Sequence, residues 1–227
     1  MIRVAVAGAG RMGQAIAARV EARDGMQLVG LWRRGGDLEE LVRNADVVID
    51  FSLPEGTMEV LDSVASAAKP LVCGVSGLNA SQLSRLDTAA TVVPVVYDRN
   101  MSLGIAVLDR AVRDAAASLG DDFEIAIAEV HHVHKVDAPS GTALKLGETI
   151  AAARGDAGTS AIRYSSERRG EVPGDHEVVM RSATETLTFA HSVTTRDVFA
   201  AGAVRAAGWV VGQAPGRYCM SDVLLGE

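Results

Sequence analysis

Only two of the 227 residues are cysteine, Cys73 and Cys219. Two are too few for a disulfide framework, and a reducing, cytoplasmic setting is expected. No apolar stretch is long enough to cross a bilayer. The run Val4 to Ala7 is too short for a secretory leader and is followed by no cleavage region. No membrane partner is therefore expected. A positive balance is missing too. The formal net charge is −7, and nucleic-acid binding needs a basic footprint. Lysine is scarce: Lys69, Lys135 and Lys145 are the only lysines among 22 basic residues. Histidine is almost as rare, with five. There is no internal repeat and no low-complexity tract. What is present is ordinary globular material, 48% hydrophobic and 22% charged, with enough chain for one large domain or two small ones.

The first half alternates short apolar runs with helical patterns. Ile2–Ala7, Met26–Trp32, Asp46–Phe51, Pro70–Cys73 and Val92–Tyr97 read as strands. Gln14–Arg23, Leu38–Asn44, Glu55–Lys69 and Ser81–Ala90 read as helices between them. Alternation of this kind predicts an α/β fold, a Rossmann-like doubly wound parallel sheet. Near Asn100 the pattern changes. A long helix over 101–119, a strand over 123–130 and a helix over 140–153 precede a β-prone stretch from Ile162 to Phe199, in which "EVVM", "TLTFAHSVTT" and "DVFA" read as strands. Gathered strands predict a second, α+β domain with an antiparallel or mixed sheet. Gly202 to Gly208 turns helical again, so a tail is expected to return to the first domain. The expected division is 1–100 with 203–227, and 101–202.

Residues Gly8, Ala9, Gly10, Arg11, Met12 and Gly13 spell G-x-G-x-x-G, directly after a strand and before a helix. Glycines there permit a tight turn and close approach of a pyrophosphate to free helix N–H groups. The end of the second strand reads Leu31-Trp32-Arg33-Arg34, with no acid before Asp37. An acid there would accept from the ribose hydroxyl of NAD; arginines suit the 2′-phosphate of NADP. "CGVSG" (Cys73–Gly77) and "YDRNMSLG" (Tyr97–Gly104) lie past the fourth and fifth strands, on the edge where open α/β sheets bind ligands. Cys73 reads as a small buried filler rather than a nucleophile.

The scarce residues gather in "EVHHVHKVDAPSGTA", Glu129 to Ala143, which holds His131, His132, His134 and Lys135. A lysine can lose its proton near neutral pH when desolvated, and arginine cannot. Asp137-Ala138-Pro139 forces a turn, and Ser140-Gly141-Thr142 opens a helix whose N-terminus suits a carboxylate or phosphate. The stretch thus joins titratable groups to an anion seat, fitting a negatively charged substrate that must also be protonated. A metal is the rival, but Lys135 would repel a cation and no cysteine or carboxylate partner motif appears; no metal is expected. An exposed polar loop is the bland alternative, and it leaves the cluster of rare residues unexplained.

At these residues the chain resembles the 4-hydroxy-tetrahydrodipicolinate reductase (dihydrodipicolinate reductase) family, whose pattern is Glu, x, His-His, two variable residues, Lys, x, Asp, x, Pro-Ser-Gly-Thr-Ala. Family-like pieces occur in order along nearly the whole chain: "GAGRMG", "DFSLPEGT", "CGVSG", "RNMSLG", "RGEVPGDHEV" and "FAAGAVRAAGW". The chain departs from the pattern in a glycine turn one residue shorter, a short segment from Arg33 to Ala45, and Val75-Ser76 where many members have a threonine pair.

The resemblance implies a first domain that binds NADPH or NADH and a second that binds a small cyclic dicarboxylate and forms a homotetramer. It implies His131 as acid/base, Lys135 as proton donor, His132 as a substrate contact, and Gly141 and Thr142 as the carboxylate seat. Cofactor contacts are implied at Gly8 to Gly13, Arg33, Gly74, Val75, Ser76, Asp98, Arg99, Asn100 and Met101. Two other readings stay open: another nicotinamide-dependent dehydrogenase of a small carboxylic acid, and a dinucleotide sensor without chemistry.

Overall fold

The computed structural model describes residues 1–155 and 162–226. In chain order the elements are β1 (Ile2–Ala7), α1 (Arg11–Glu21), β2 (Met26–Trp32), α2 (Leu38–Asn44), β3 (Val47–Asp50), α3 (Pro54–Ser66), β4 (Leu71–Cys73), α4 (Ala80–Ala90), β5 (Pro94–Tyr97) and α5 (Leu103–Leu119). There follow β6 (Glu124–His131), α6 (Gly141–Ala153), β7 (Ile162–Arg168), β8 (Asp175–Arg181), β9 (Thr186–Ser192), α7 (Asp197–Val210), β10 (Gly216–Tyr218) and α8 (Met220–Leu225). Two units separate, Met1–Leu103 with Asp197–Glu227, and Gly104–Arg196.

In the first unit the local chemistry sets each helix start. Asp37 caps α2, its carboxylate accepting from the Glu40 N–H at 2.8 Å, and Pro54 opens α3 where its missing N–H has no partner to lose. Asn79 and Gln82 close a reciprocal capping box on α4. The strands form one all-parallel sheet, ordered β10-β5-β4-β3-β1-β2. Their residues alternate between two dry layers. Ala5, Ala7, Val48, Leu71 and Val95 pack in one cluster with α2, α3 and α4. Val4, Val6, Val47, Ile49, Val72 and Val96 are as deeply buried on the other layer, where α1 and α7 pack together and α7 lies on β3, β4 and β5. Strands buried on both faces are what parallel sheets require.

Two expectations are corrected here. "DVFA" is not a strand: Asp197 begins α7, a continuous fourteen-residue helix. Four residues carry no period of their own, whereas the alanine-rich run that follows favours helix and is buried at Ala200, Ala203, Val204, Ala206, Ala207 and Val210. The expected boundary at 202/203 falls inside this helix, and the whole of α7 belongs to the first unit. Strand β10, a three-residue edge beside β5, was not expected.

The second unit holds a mixed four-stranded sheet, ordered β7-β6-β8-β9. β6 runs parallel to β7 and antiparallel to β8, and β8 runs antiparallel to β9. One face packs on α5 and α6 through Ile125, Ile127, Val178, Met180, Leu146 and Ile150.

Candidate active site

Parallel register brings five strand ends into one row. Trp32 pairs with Ala7, Ala7 with Asp50, Asp50 with Cys73, and Cys73 with Tyr97. The sequence-predicted coenzyme residues are the ones just past this row. Gly8 adopts φ +100°, and a Cβ on it would stand 2.5 Å from the Phe51 carbonyl oxygen. A Cβ on Gly13 would stand 1.7 Å from the Gly8 carbonyl oxygen, while nothing lies within 4 Å of one on Gly10. Gly10 caps α1 without any side-chain bond, so the cap residue itself leaves the first N–H groups of that helix uncovered. Gly74 has room for no side chain against the Phe51 ring, 2.3 Å from where a Cβ would be.

In the second unit the site grows out of the hydrophobic core. Side chains alternate along β6, and Ile125, Ile127, Glu129 and His131 share the buried face. The same face of β8 carries Met180, Val178 and then His176, and β7 brings Arg168 opposite His131 and Ser166 opposite Glu129. One sheet face therefore changes from apolar to ionisable within two residues. Glu129 is 2% exposed and His131 8%. The Glu129 carboxylate accepts from His131 Nδ1 at 2.5 Å, from both Arg168 terminal nitrogens at 2.8 and 2.9 Å, and from the Ser140 N–H at 3.2 Å. Ser140 caps α6 through the Ala143 N–H, and its hydroxyl meets His176 Nε2 at 3.2 Å. The His176 ring stands edge-on to His131, centroids 5.1 Å apart. Lys135 Nζ donates to Asp137 Oδ1 at 2.8 Å.

These contacts set the charges. Burial pushes the Glu129 carboxyl up, but hydrogen bonds from Arg168, His131 and Ser166 outweigh it and hold it at about 2. Burial lowers His131, and Glu129 draws it partly back up against Lys135 and Arg168. His176 is held at about 3, first by burial and then by His131. Both rings are thus neutral at pH 7. With Nδ1 facing a carboxylate, His131 carries its proton there, and Nε2 is left as a bare acceptor; it faces Gly174, where a Cβ would come within 2.9 Å.

Residues 2–101 match the family model described as dihydrodipicolinate reductase, N-terminus, and residues 104–224 match dihydrodipicolinate reductase, C-terminus. The chain belongs to the dihydrodipicolinate reductase family. The 4-hydroxy-tetrahydrodipicolinate reductase of Caulobacter vibrioides is 40% identical over 249 residues, with 98% of this chain and 97% of that protein covered. The enzyme of that name from Alkalilimnicola ehrlichii is 38% identical over 262 residues, with 98% of both covered. That alignment is longer than the chain, so the relative carries insertions this member lacks. The solved structure of a dipicolinate-bound dihydrodipicolinate reductase from Paenisporosarcina sp. TG-14 superposes with a TM-score of 0.78 over 96% of this chain and 97% of that one. At 24% identity it bears on the fold alone.

Set against the reductase pattern, the residues divide cleanly. Gly141 and Thr142 begin α6, and His132 lies half-buried with an unpartnered buried Nδ1. Arg11, Arg33, Ser76 and Arg99 are exposed; Ala9, Met12 and Asn100 are half-buried. Val75, Asp98 and Met101 are buried: the Asp98 carboxylate accepts from the Met220 N–H at 3.2 Å, and the Met101 carbonyl touches α7 at Gly202. The glycine edge fits a dinucleotide, because the positions lining it exclude side chains and α1 offers uncapped N–H groups. Among the described residues no group of histidine, cysteine and carboxylate side chains could hold a metal. Sequence reasoning assigned no role to Phe51, Glu129, Arg168, Gly174 or His176. Glu129, Gly174 and His176 lay inside the quoted motifs, and Arg168 stands one residue before one; only strand register could have tied them together.

Proposed function

We propose that this chain reduces 4-hydroxy-tetrahydrodipicolinate to tetrahydrodipicolinate with NAD(P)H, a step of lysine and diaminopimelate biosynthesis. The observation that carries the reading is His131 held in one tautomer by a buried carboxylate, beside Lys135 and a helix whose first turn contains no acidic residue. The ring loses its hydroxyl as water to give a conjugated imine, and the coenzyme, when bound, would supply hydride to the carbon that bore the hydroxyl. The N–H groups of Gly141 and Thr142 receive a substrate carboxylate, aided by the positive end of the α6 dipole. Half-buried His132 contacts the same dicarboxylate. Lys135 delivers the proton that the electron-rich ring takes up, and His131 Nε2 accepts or returns a proton beside it.

Coenzyme contacts fall to the first unit: the turn Gly8 to Gly13, Gly74 to Ser76 and Asp98 to Met101. Exposed Arg33 faces the adenosine end. Asp37, the first acid past β2, is engaged in capping α2, and Arg34 stands 3.9 Å from Glu55. A cationic loop without a free acceptor favours the 2′-phosphate, so NADPH is the preferred coenzyme.

The reading extends to a cytoplasmic homotetramer. It is supported by the second face of the four-stranded sheet, where Ala126, Ala128, Val130, Val179 and Ala190 are half-buried or exposed.

The deciding experiment follows NADPH and NADH oxidation with substrate made fresh from pyruvate and aspartate semialdehyde by the condensing synthase. Oxidation that requires both precursors, faster with NADPH, is the expected result. Coenzyme binding without oxidation would overturn the reductase reading and favour a sensor.

A further inference from the structure

A buried ion pair is weak evidence for stability, because drying two charges offsets most of their attraction. Glu129 has a fully dry side chain and Arg168 a side chain 20% exposed, so their pairing behind an acid/base histidine has another cause. A guanidinium has five N–H donors, and the five contacts of Arg168 all have named targets. Nη1 and Nη2 grip the two Glu129 oxygens at 2.8 and 2.9 Å. Nη1 also donates to the Glu167 carbonyl at 2.7 Å. Nε donates to the Lys135 carbonyl at 3.3 Å, and Nη2 to the Asp137 carbonyl at 2.6 Å.

The last two contacts bracket Val136, whose side chain is 97% exposed. Burial of Val136 therefore adds no anchor at this point, and Arg168 ties the main chain on either side of it. The stretch is the one that presents Lys135. We propose that Glu129 and Arg168 are the positioning pair of the site: Glu129 fixes the His131 ring with Nε2 bare, while Arg168 fixes both that carboxylate and the main chain carrying Lys135, so that one guanidinium sets the geometry of both proton-handling groups. The inference rests on the reading of His131 and Lys135 given above.

Among the described residues, the titratable and charged groups acting on the His131 ring are Glu129 on its own strand, the adjoining His132, Lys135 in the loop, Arg168 from β7 and His176 from β8. Of these, Glu129 alone carries negative charge. Removing that charge moves the His131 titration to lower pH, whereas replacing Arg168 by lysine keeps the charge and loses the fork.

The test uses the full chain with Glu129→Gln and Arg168→Lys, and reads kcat, KM for coenzyme and the His131 titration by NMR. The His131 signal is assigned by its loss in His131→Asn. In Arg168→Lys, kcat falls by about tenfold or more, while the coenzyme KM stays within about twofold of wild type and the His131 titration barely moves. In Glu129→Gln, kcat falls as far and the titration drops by about one pH unit. Wild-type kcat in Arg168→Lys overturns the pair, and so does an unmoved His131 titration in Glu129→Gln. Should Glu129→Gln fail to fold, Arg168→Lys carries the test by its split between kcat and KM. Full turnover in His131→Asn would instead sink the assignment of His131, and the titration shift in Glu129→Gln is read independently of it.

Discussion

Lys135 shows how a side chain acquires meaning from its neighbours. By composition it is one of three lysines. In the fold its side chain is 21% exposed, its ammonium pairs with Asp137, and its main chain is tied to Arg168. Replacing it by alanine removes the proposed proton donor while leaving the first unit untouched. Turnover of Lys135→Ala and His131→Ala is expected to fall by about a hundredfold or more, with coenzyme affinity unchanged in fluorescence titration. The opposite separation belongs to Gly13→Ala. Its new Cβ would meet the Gly8 carbonyl at 1.7 Å, which forces the turn apart. Overpacking of this kind costs about 1–3 kcal/mol, so both the thermal midpoint and coenzyme affinity should drop, while His131 titrates as in the parent.

At the scale of elements, helix α6 does two jobs with one residue. Ser140 caps it, touches His176 and offers its N–H to Glu129. Ser140→Ala loses a cap of about 1 kcal/mol; urea unfolding should report that loss, and the KM for the dicarboxylate should rise more than kcat falls. Elements are also where sequence reading succeeded and where it stopped. The bounds of β1, β2 and α2 were legible because each is a local pattern with its own stop signals: Gly25 between α1 and β2, Asp37 before α2. Helix α7 was legible only from Gly202 onward, because its first turn spells a β-prone word. β10 has three residues and no period at all. The motif residues His131, Lys135, Gly141 and Thr142 were legible as near neighbours in sequence, running from the end of β6 to the start of α6. Glu129 with Arg168, and His131 with His176, lie on separate strands. Their meeting depends on the in-register pairing of β6 with β7 and β8, and a slip of one residue would turn Arg168 to the other face.

For the molecule as a whole, acid is the condition that probes the buried site. His176 sits at about 3 in the fold against an ordinary 6.5, so the unfolded chain takes up that proton first. Its contribution is complete above pH 6.5 and fades as pH falls toward 3. Glu129 lies at about 2 against an ordinary 4.5, so its contribution is complete above 4.5 and fades toward 2. Both windows point the same way: the thermal midpoint should decline from pH 7 to pH 3, and His176→Asn should flatten the upper part of that decline. Assembly is the second whole-molecule property. Light scattering should give a mass near four times the 23.7 kDa of one chain; a mass of one chain would refute the tetramer.

The first unit is discontinuous, and this bears on how the protein is made. Its first 103 residues leave the ribosome early, but α7 and β10 come from the segment after Asp197. Until that segment is synthesised, β3, β4 and β5 lack the helix that covers them, and the apolar layer of Val47, Ile49, Val72 and Val96 is left bare. The second unit emerges complete in between. A nascent chain therefore completes its second unit before its first, and a product truncated before Asp197 would present a sticky sheet to chaperones and proteases.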